Sequence, residues 1–322
     1  MDGNSEMGAS ARAHGQPGQP GQPGQDGEPY PLVIIGAGAL GLSIGARLAR
    51  RMAVALVASS PARAAGLRAG VQVDGSNWRP DAWSAPRLPR AEWALLLVKA
   101  GDTAAAAGAA AAMGVRGLLS LQNGLVETRL REAAPGVPLV GQGITTMGAH
   151  RNGGAVTLVG CGETLLPPGF EVLARWLDEA GFPARVEPEI AAARLAKLLV
   201  NLALNPLTAV FRVPTGALLE APYPPYVEAL VAEAWPVLRR AGLTLDEAQA
   251  RERVWAVVRA TAANRTSMLQ DLLAGRRTEL DAITGVLLHM AQAQGAEVPT
   301  HRALHRLVCL QEAAFAESRP PA

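Results

Sequence analysis

The sequence predicts an α/β region built on a mostly parallel sheet, followed by an all-α region. Three observations predict it. An apolar, β-branched run at 32–35 leads directly into Gly36-Ala-Gly-Ala-Leu-Gly41 and then into helix-forming residues at 42–51. Strand-like apolar runs then alternate with alanine-rich helical stretches as far as about Glu187. Beyond Ile190 the pattern is helical, with glycine and proline separating the segments. Alternating β and α elements imply a parallel sheet with helices on both faces.

Taken in order, residues 1–29 come first, with a Gly-Gln-Pro repeat between Gly15 and Gly27. The triplets are too few for a collagen helix, so 1–29 reads as a flexible, solvated tail. Strands are expected at 32–35, 53–58, 94–98, 117–121, 139–144 and 155–160. Helices are expected at 190–205, 226–241, 245–273, 278–294 and 301–315. The seam should fall near 186–190, dividing 30–188 from 189–322.

Composition excludes several functions. Across 322 residues, 49% are hydrophobic and 18% charged, enough to bury the cores of about two domains. The net charge is +2 with Lys and Arg scattered, which gives no phosphate-backbone footprint and no expectation of a nucleic-acid partner. No apolar run reaches the ~18 residues of a membrane span, and the start lacks a basic-then-apolar leader. A cytoplasmic protein without a membrane partner is the expectation. Cys161 and Cys309, the two cysteines, cannot build a disulfide framework or a Cys-based zinc site and read as reduced thiols. No metal is expected. His150 and His289 stand alone and read as structural or surface residues.

The glycine loop carries the first chemistry. With 34 glycines, chance yields about 0.4 GxGxxG matches per chain, so the motif alone is weak. Here it follows a strand and opens a helix, the context of a Rossmann-type dinucleotide site. Gly36 permits the tight turn, Gly38 lets the backbone approach a pyrophosphate, and Gly41 lets helix and strand pack closely. Ala37, Ala39 and Leu40 complete the loop, and the helix start offers free N–H groups and a positive dipole end. NAD sites usually place an acid ~20 residues on. The corresponding stretch, Val57-Ala-Ser-Ser-Pro-Ala-Arg63, has none. NADPH is favoured, NADH is not excluded, and Ser59, Ser60 and Arg63 are candidates to meet a 2′-phosphate.

A polar stripe carries the second. Lys197, Asn201 and Asn205 are spaced i, i+4, i+8 in an otherwise apolar helix, so they project from nearly one face. Such a helix is buried, and unpartnered buried polar groups cost about 1–3 kcal/mol each. A solvated face is the plain alternative, but amides are unusual there; an ammonium beside two amides suits a carboxylate or carbonyl ligand. Pro206 should end or kink the helix and free the carbonyl of Leu202. A second polar line is Asn264, Ser267 and Asp271. Glu279 follows, and by itself reads as a first-turn acid favoured by the helix dipole.

These residues resemble the 2-dehydropantoate 2-reductase (ketopantoate reductase) family from Leu32 to about Pro299. The motifs are Gly36 to Gly41, Val98-Lys-Ala100, Gln122-Asn-Gly124, Thr145-Thr146 with Gly148-Ala149, Lys197-xxx-Asn-xxx-Asn-Pro206, and Ser267-Met-Leu-Gln-Asp271 leading to Thr278-Glu279. The resemblance implies Lys197 as proton donor and Asn201, Asn205, Asn264 and Ser267 as substrate ligands. It places Lys99, Asn123, Ala149 and Glu279 on or near the cofactor, with Asn123 between nicotinamide and substrate. Glu279 would orient Lys197 or hold the nicotinamide ribose. Residues 30–188 then become the cofactor unit and 189–322 the substrate and catalytic unit.

Two positions depart from the family. Ser59 stands where an arginine often grips the 2′-phosphate, and Thr215 where a substrate-contacting asparagine falls. The expected activity is NADPH-dependent reduction of a small 2-oxo acid, 2-dehydropantoate to pantoate, by a monomer or homodimer. The alternatives are a same-fold reductase for another 2-oxo acid or related carbonyl compound, and a non-catalytic NADPH-binding sensor.

Overall fold

The computed structural model describes residues 28–159 and 162–317. Nearly all of the expected tail, and Cys161, lie outside them. The chain opens with β1 (Tyr30–Ile35), the glycine loop, α1 (Ala39–Leu48), β2 (Val54–Val57) and α2 (Pro61–Ala69). A hairpin follows, β3 (Val71–Val73) and β4 (Ser76–Trp78), then β5 (Asp81–Trp83) and β6 (Ala91–Leu96). Next come α3 (Thr103–Ala112), β7 (Gly117–Ser120), α4 (Glu127–Ala133) and β8 (Leu139–Gln142).

Six of these strands pair in parallel in the order β5-β2-β1-β6-β7-β8. Counted along the chain within this sheet, that is 3-2-1-4-5-6, the doubly wound Rossmann order. The order reverses between β1 and β6, and open α/β sheets bind ligands at the carboxyl ends beside such a reversal. Burial on both faces explains the unbroken apolar run of β1, where Val33 and Ile34 have no exposure.

The N-terminal region ends with β9 (Ile144–Thr145), β10 (Gly148–Asn152), β11 (Ala155–Val159), β12 (Thr164–Leu166), α5 (Glu171–Glu179) and β13 (Ala184–Val186). Two strand expectations are corrected here. The run at 139–144 divides at Gly143, where a Cβ would lie 2.5 Å from the Leu165 carbonyl oxygen. The chain turns there, out of the main sheet, and β9 joins β12 and β13. The run at 155–160 belongs to a separate sheet, β10-β11-β3-β4, in which β11 pairs antiparallel with β10. Residues of β11 alternate in exposure, as expected of an antiparallel strand with one wet face.

Among the described residues, six α-helices follow: α6 (Ile190–Phe211), α7 (Pro224–Arg240), α8 (Glu247–Ala260), α9 (Ser267–Leu273), α10 (Val286–Ala293) and α11 (Pro299–Glu317). The helical core gathers on α6, whose Leu199, Leu202 and Ala209 are buried against α7, α8, α9 and α11. By length and composition α6 could cross a membrane, but most of it is buried inside this bundle.

Three helix expectations are corrected. Helix α6 does not end at Asn205 but continues through Pro206 to Phe211. The loss of one backbone bond at the proline is outweighed by packing, since Pro206, Leu207, Thr208 and Ala209 are all buried. The long helix at 245–273 is two helices. Its break is closed by the turn Thr215–Leu219, with the N–H groups of Thr215 and Gly216 donating to the carbonyls of Asn264 and Ala262. Thr266 then caps α9 through Leu269 N–H. Finally, the helix expected at 278–294 begins with a π-helical turn, Asp281–Gly285, before α10.

Candidate active site

The glycine loop joins β1 to α1 beside the β1–β6 reversal. Gly36 has φ +119°, and a Cβ there would lie 2.7 Å from the carbonyl carbon of Leu97, just past the neighbouring strand β6. A Cβ at Gly41 would overlap the Gly36 carbonyl oxygen. At Gly38 a Cβ would meet nothing. The first and third glycines are therefore needed by the protein, while the second opens onto free space. Gly38 is also the N-cap of α1 and gives it no side-chain cap, leaving the first-turn N–H groups free for an anion.

That space is a cleft of about 870 Å³, within the roughly 300–1,000 Å³ of ligand sites. Gly36 through Leu40, Ser59 and Arg63 line it from one side, and Lys99, Asn123 and Ala149 from the strand ends. The helical region contributes Ser267, Asp271, Arg276 and Glu279. Gly41, Lys197, Asn201, Asn205, Thr215 and Asn264 do not line it.

At one end Arg63 donates from Nη2 to the Ala37 carbonyl, at 3.3 Å. Ser60 uses its hydroxyl to cap α2, accepting from Arg63 N–H at 3.2 Å. Ser59 is exposed. Arg151, on β10, lines the same cleft. Burial and the charge of Arg151 both lower the pKa of Arg63. Among the described residues neither arginine has an ion-pair partner.

Side chains cross between the regions over the strand ends. Lys99 Nζ lies 2.6 Å from Asp271, a buried carboxylate that also pairs with Arg276 at 3.0 Å. Glu279, 9% exposed, accepts from Ala100 N–H at 3.2 Å and from Asn123 Nδ2 at 2.9 Å. Asn123 Oδ1 in turn accepts from Lys197 Nζ at 3.0 Å, and Lys197 also donates to the Thr145 carbonyl at 2.7 Å. Lys197, Asn123 and Glu279 thus form one chain of hydrogen bonds, reached from the cleft at Asn123 and Glu279. Burial pushes the Lys197 ammonium down to about 8, and the Glu279 carboxylate partly opposes that. Although the residue as a whole is only partly shielded, protein packed around its charged end accounts for the shift.

Asn201 and Asn205 continue the stripe on α6, and Asn205 is 6% exposed. Their side-chain amides make no hydrogen bond among the described residues. Thr215, 2% exposed, spends its hydroxyl on the Asn264 carbonyl at 3.1 Å. It holds the loop that carries Asn264, whose residue is exposed between α8 and α9. Ser267 starts α9 at the cleft wall. Sequence reasoning missed Arg151 and the Lys99–Asp271 pair. Lys99 and Asp271 are 172 residues apart, and no local signal links them.

The chain is similar to known proteins in both sequence and fold. Residues 32–169 match the family model described as ketopantoate reductase PanE/ApbA, and 189–312 its C-terminal model. A 2-dehydropantoate 2-reductase of Archaeoglobus fulgidus is 32% identical over 85% of this chain and 95% of its own. One from Halobacterium salinarum is 33% identical over 87% of this chain and 98% of its own. A PanE/ApbA family ketopantoate reductase from Ralstonia eutropha JMP134 superposes with a TM-score of 0.77 at 28% identity, covering 88% of this chain and 99% of that one. A D-mandelate dehydrogenase solved with NADH shares the fold, with a TM-score of 0.80 at 23% identity over 88% and 99% of the two chains.

Proposed function

The chain belongs to the ketopantoate reductase family, and from that premise we propose that it uses NADPH to reduce 2-dehydropantoate, with Lys197 as proton donor. The observation that carries this reading is the Lys197 ammonium, bonded to Asn123 beside a glycine-floored cleft. Residues 30–188 act as the cofactor unit and 189–322 as the substrate and catalytic unit.

The residues present fit a dinucleotide. The open face of Gly38 and the uncapped start of α1 suit a pyrophosphate. Arg63 and Arg151, without an ion-pair partner among the described residues, suit a 2′-phosphate, which NADPH has and NADH lacks. A nicotinamide held there would be the source of the hydride that reduces the substrate carbonyl carbon. Lys197 stabilises the negative charge growing on the carbonyl oxygen and gives it a proton. The free amides of Asn201 and Asn205, with Asn264 and Ser267, hold the substrate carboxylate and hydroxyls. Glu279 orients Asn123 and, through it, Lys197. Lys99 and Ala149 wall the cofactor.

A second reading, another 2-oxo acid as substrate, is favoured by Thr215. Its hydroxyl is committed to Asn264 and it offers no amide, so the pocket lacks one polar contact for a hydroxylated substrate.

The test is Lys197→Ala, assayed by NADPH oxidation with 2-dehydropantoate and a panel of branched 2-oxo acids from pH 6 to 10. Turnover should fall by roughly 10²–10⁴, with cofactor affinity little changed. Wild-type activity should decline above about pH 8, where Lys197 loses its proton. Near-normal turnover of the variant would end the donor assignment. Higher activity on another 2-oxo acid than on 2-dehydropantoate would establish the second reading.

A further inference from the structure

Gln142 closes β8 and is 1% exposed, yet it does not line the cleft. Both ends of its amide are spent on the loop that presents Asn123. Oε1 accepts from Val126 N–H at 3.0 Å. Nε2 donates to the carbonyls of Gln122 at 3.2 Å and Gly124 at 2.8 Å. The residues immediately before and after Asn123 are therefore held by one buried side chain.

The same loop is backed from the helical region. Gly124 has φ +77°, and a Cβ there would overlap the Ala282 carbonyl in the turn that follows Glu279. Leu125 N–H donates to that carbonyl at 3.3 Å. The strand end is tied to α6 as well. Arg194 Nη1 donates to the Gln142 carbonyl at 3.1 Å and pairs with Glu127 on α4. Arg194 lies three residues before Lys197, so the tie sits within one turn of the proposed donor.

We infer that Gln142 is a positioning residue for the site: it fixes Asn123 between Lys197 and Glu279, and Arg194 keeps α6 in register with it. The inference rests on Lys197 being the donor. Asn123 must accept from Lys197 and donate to Glu279 at once, a geometry that fails if the loop shifts. Displacements of about 1 Å at such positions cost on the order of 10²-fold in rate.

The test compares Gln142→Leu, which removes both polar ends, with Gln142→Glu, which keeps an acceptor for Val126 but sets a carboxylate against two carbonyls. Arg194→Met is the third variant. Each is measured for kcat, for KM, for NADPH affinity by fluorescence titration, and for the pH profile. The expected result is a fall in kcat of about 10- to 100-fold, with NADPH affinity within about twofold because Gln142 is outside the cleft. The decline near pH 8 should move upward as Lys197 becomes better solvated.

Unchanged kcat and pH profile would overturn the inference. So would a loss of NADPH binding that parallels the loss of kcat, because that marks general loosening. If Gln142→Leu fails to fold, the Glu and Met variants decide. Lys197→Ala run alongside separates the two claims. Normal turnover there removes the donor itself, whereas its loss with intact Gln142 variants removes only the positioning role.

Discussion

Gly36, Gly38 and Gly41 lie in one short loop yet answer to different constraints. Gly36 and Gly41 sit against backbone atoms that leave no room for a Cβ, and Gly38 faces only the cleft. Gly38→Val should fold with an unchanged melting temperature and bind NADPH at least about tenfold more weakly, because its side chain would fill the pyrophosphate position. Gly41→Ala should instead lose about 1–3 kcal/mol of stability through overpacking. Thermal melts paired with cofactor titrations distinguish the two, and wild-type affinity in Gly38→Val would place the pyrophosphate elsewhere. The spacing of these glycines was readable in the chain, as was the face shared by Lys197, Asn201 and Asn205. Their partners were not. Asn123 joins Lys197 across 74 residues and Glu279 across 156, separations at which local pattern carries no information.

Helix α11 starts on a carboxylate borrowed from α7. Glu233 accepts from the N–H groups of Thr300 and His301 at 2.9 and 3.1 Å and from His301 Nδ1 at 3.0 Å. Burial would push its pKa up, but the bonds from His301 and Thr300 win and hold it at about 2. A carboxylate depressed in this way stabilises the fold fully above its unfolded pKa near 4.5 and loses that contribution as pH falls toward 2. Denaturant midpoints should therefore drop across that window, and Glu233→Gln should flatten the drop while costing about 1–3 kcal/mol at neutral pH. An equally steep acid transition in the variant would assign it to other groups. At this scale, long periodic elements were legible: β1, β2, β6 and β7, with α7 and α11, appear close to where their patterns place them, and α6 starts where expected but runs on to Phe211. The three-residue strands β3, β4, β5, β12 and β13 were not, being too short to show a period. The break between α8 and α9 has no glycine or proline to mark it, since a turn from another part of the chain fills it.

Over the whole molecule, the sheet and helical regions are joined by Lys99–Asp271, Arg194–Glu127 and the two bonds of Glu279. A ligand in the cleft contacts both regions and should stabilise both. NADPH at 100 times its Kd should add about 2.7 kcal/mol to stability by mass action alone. At equal concentration NADH should raise the melting temperature less, because Arg63 and Arg151 gain no 2′-phosphate. Replacing both arginines with alanine should bring the NADPH shift down to that of NADH. Equal shifts in the wild type would remove the basis for an NADPH preference. The amino-acid order alone determined the two regions, the glycine loop and the polar stripe of α6, because each is written in short-range periodicity and in residues with few conformational options. Only tertiary structure decided that Glu279 reaches Asn123, that Thr215 serves the Asn264 loop, that Arg151 comes to Arg63's end of the cleft and that Gln142 grips the Asn123 loop. Those contacts exist because separate elements pack together, and a hydrogen bond depends on distance and direction in space rather than on position along the chain.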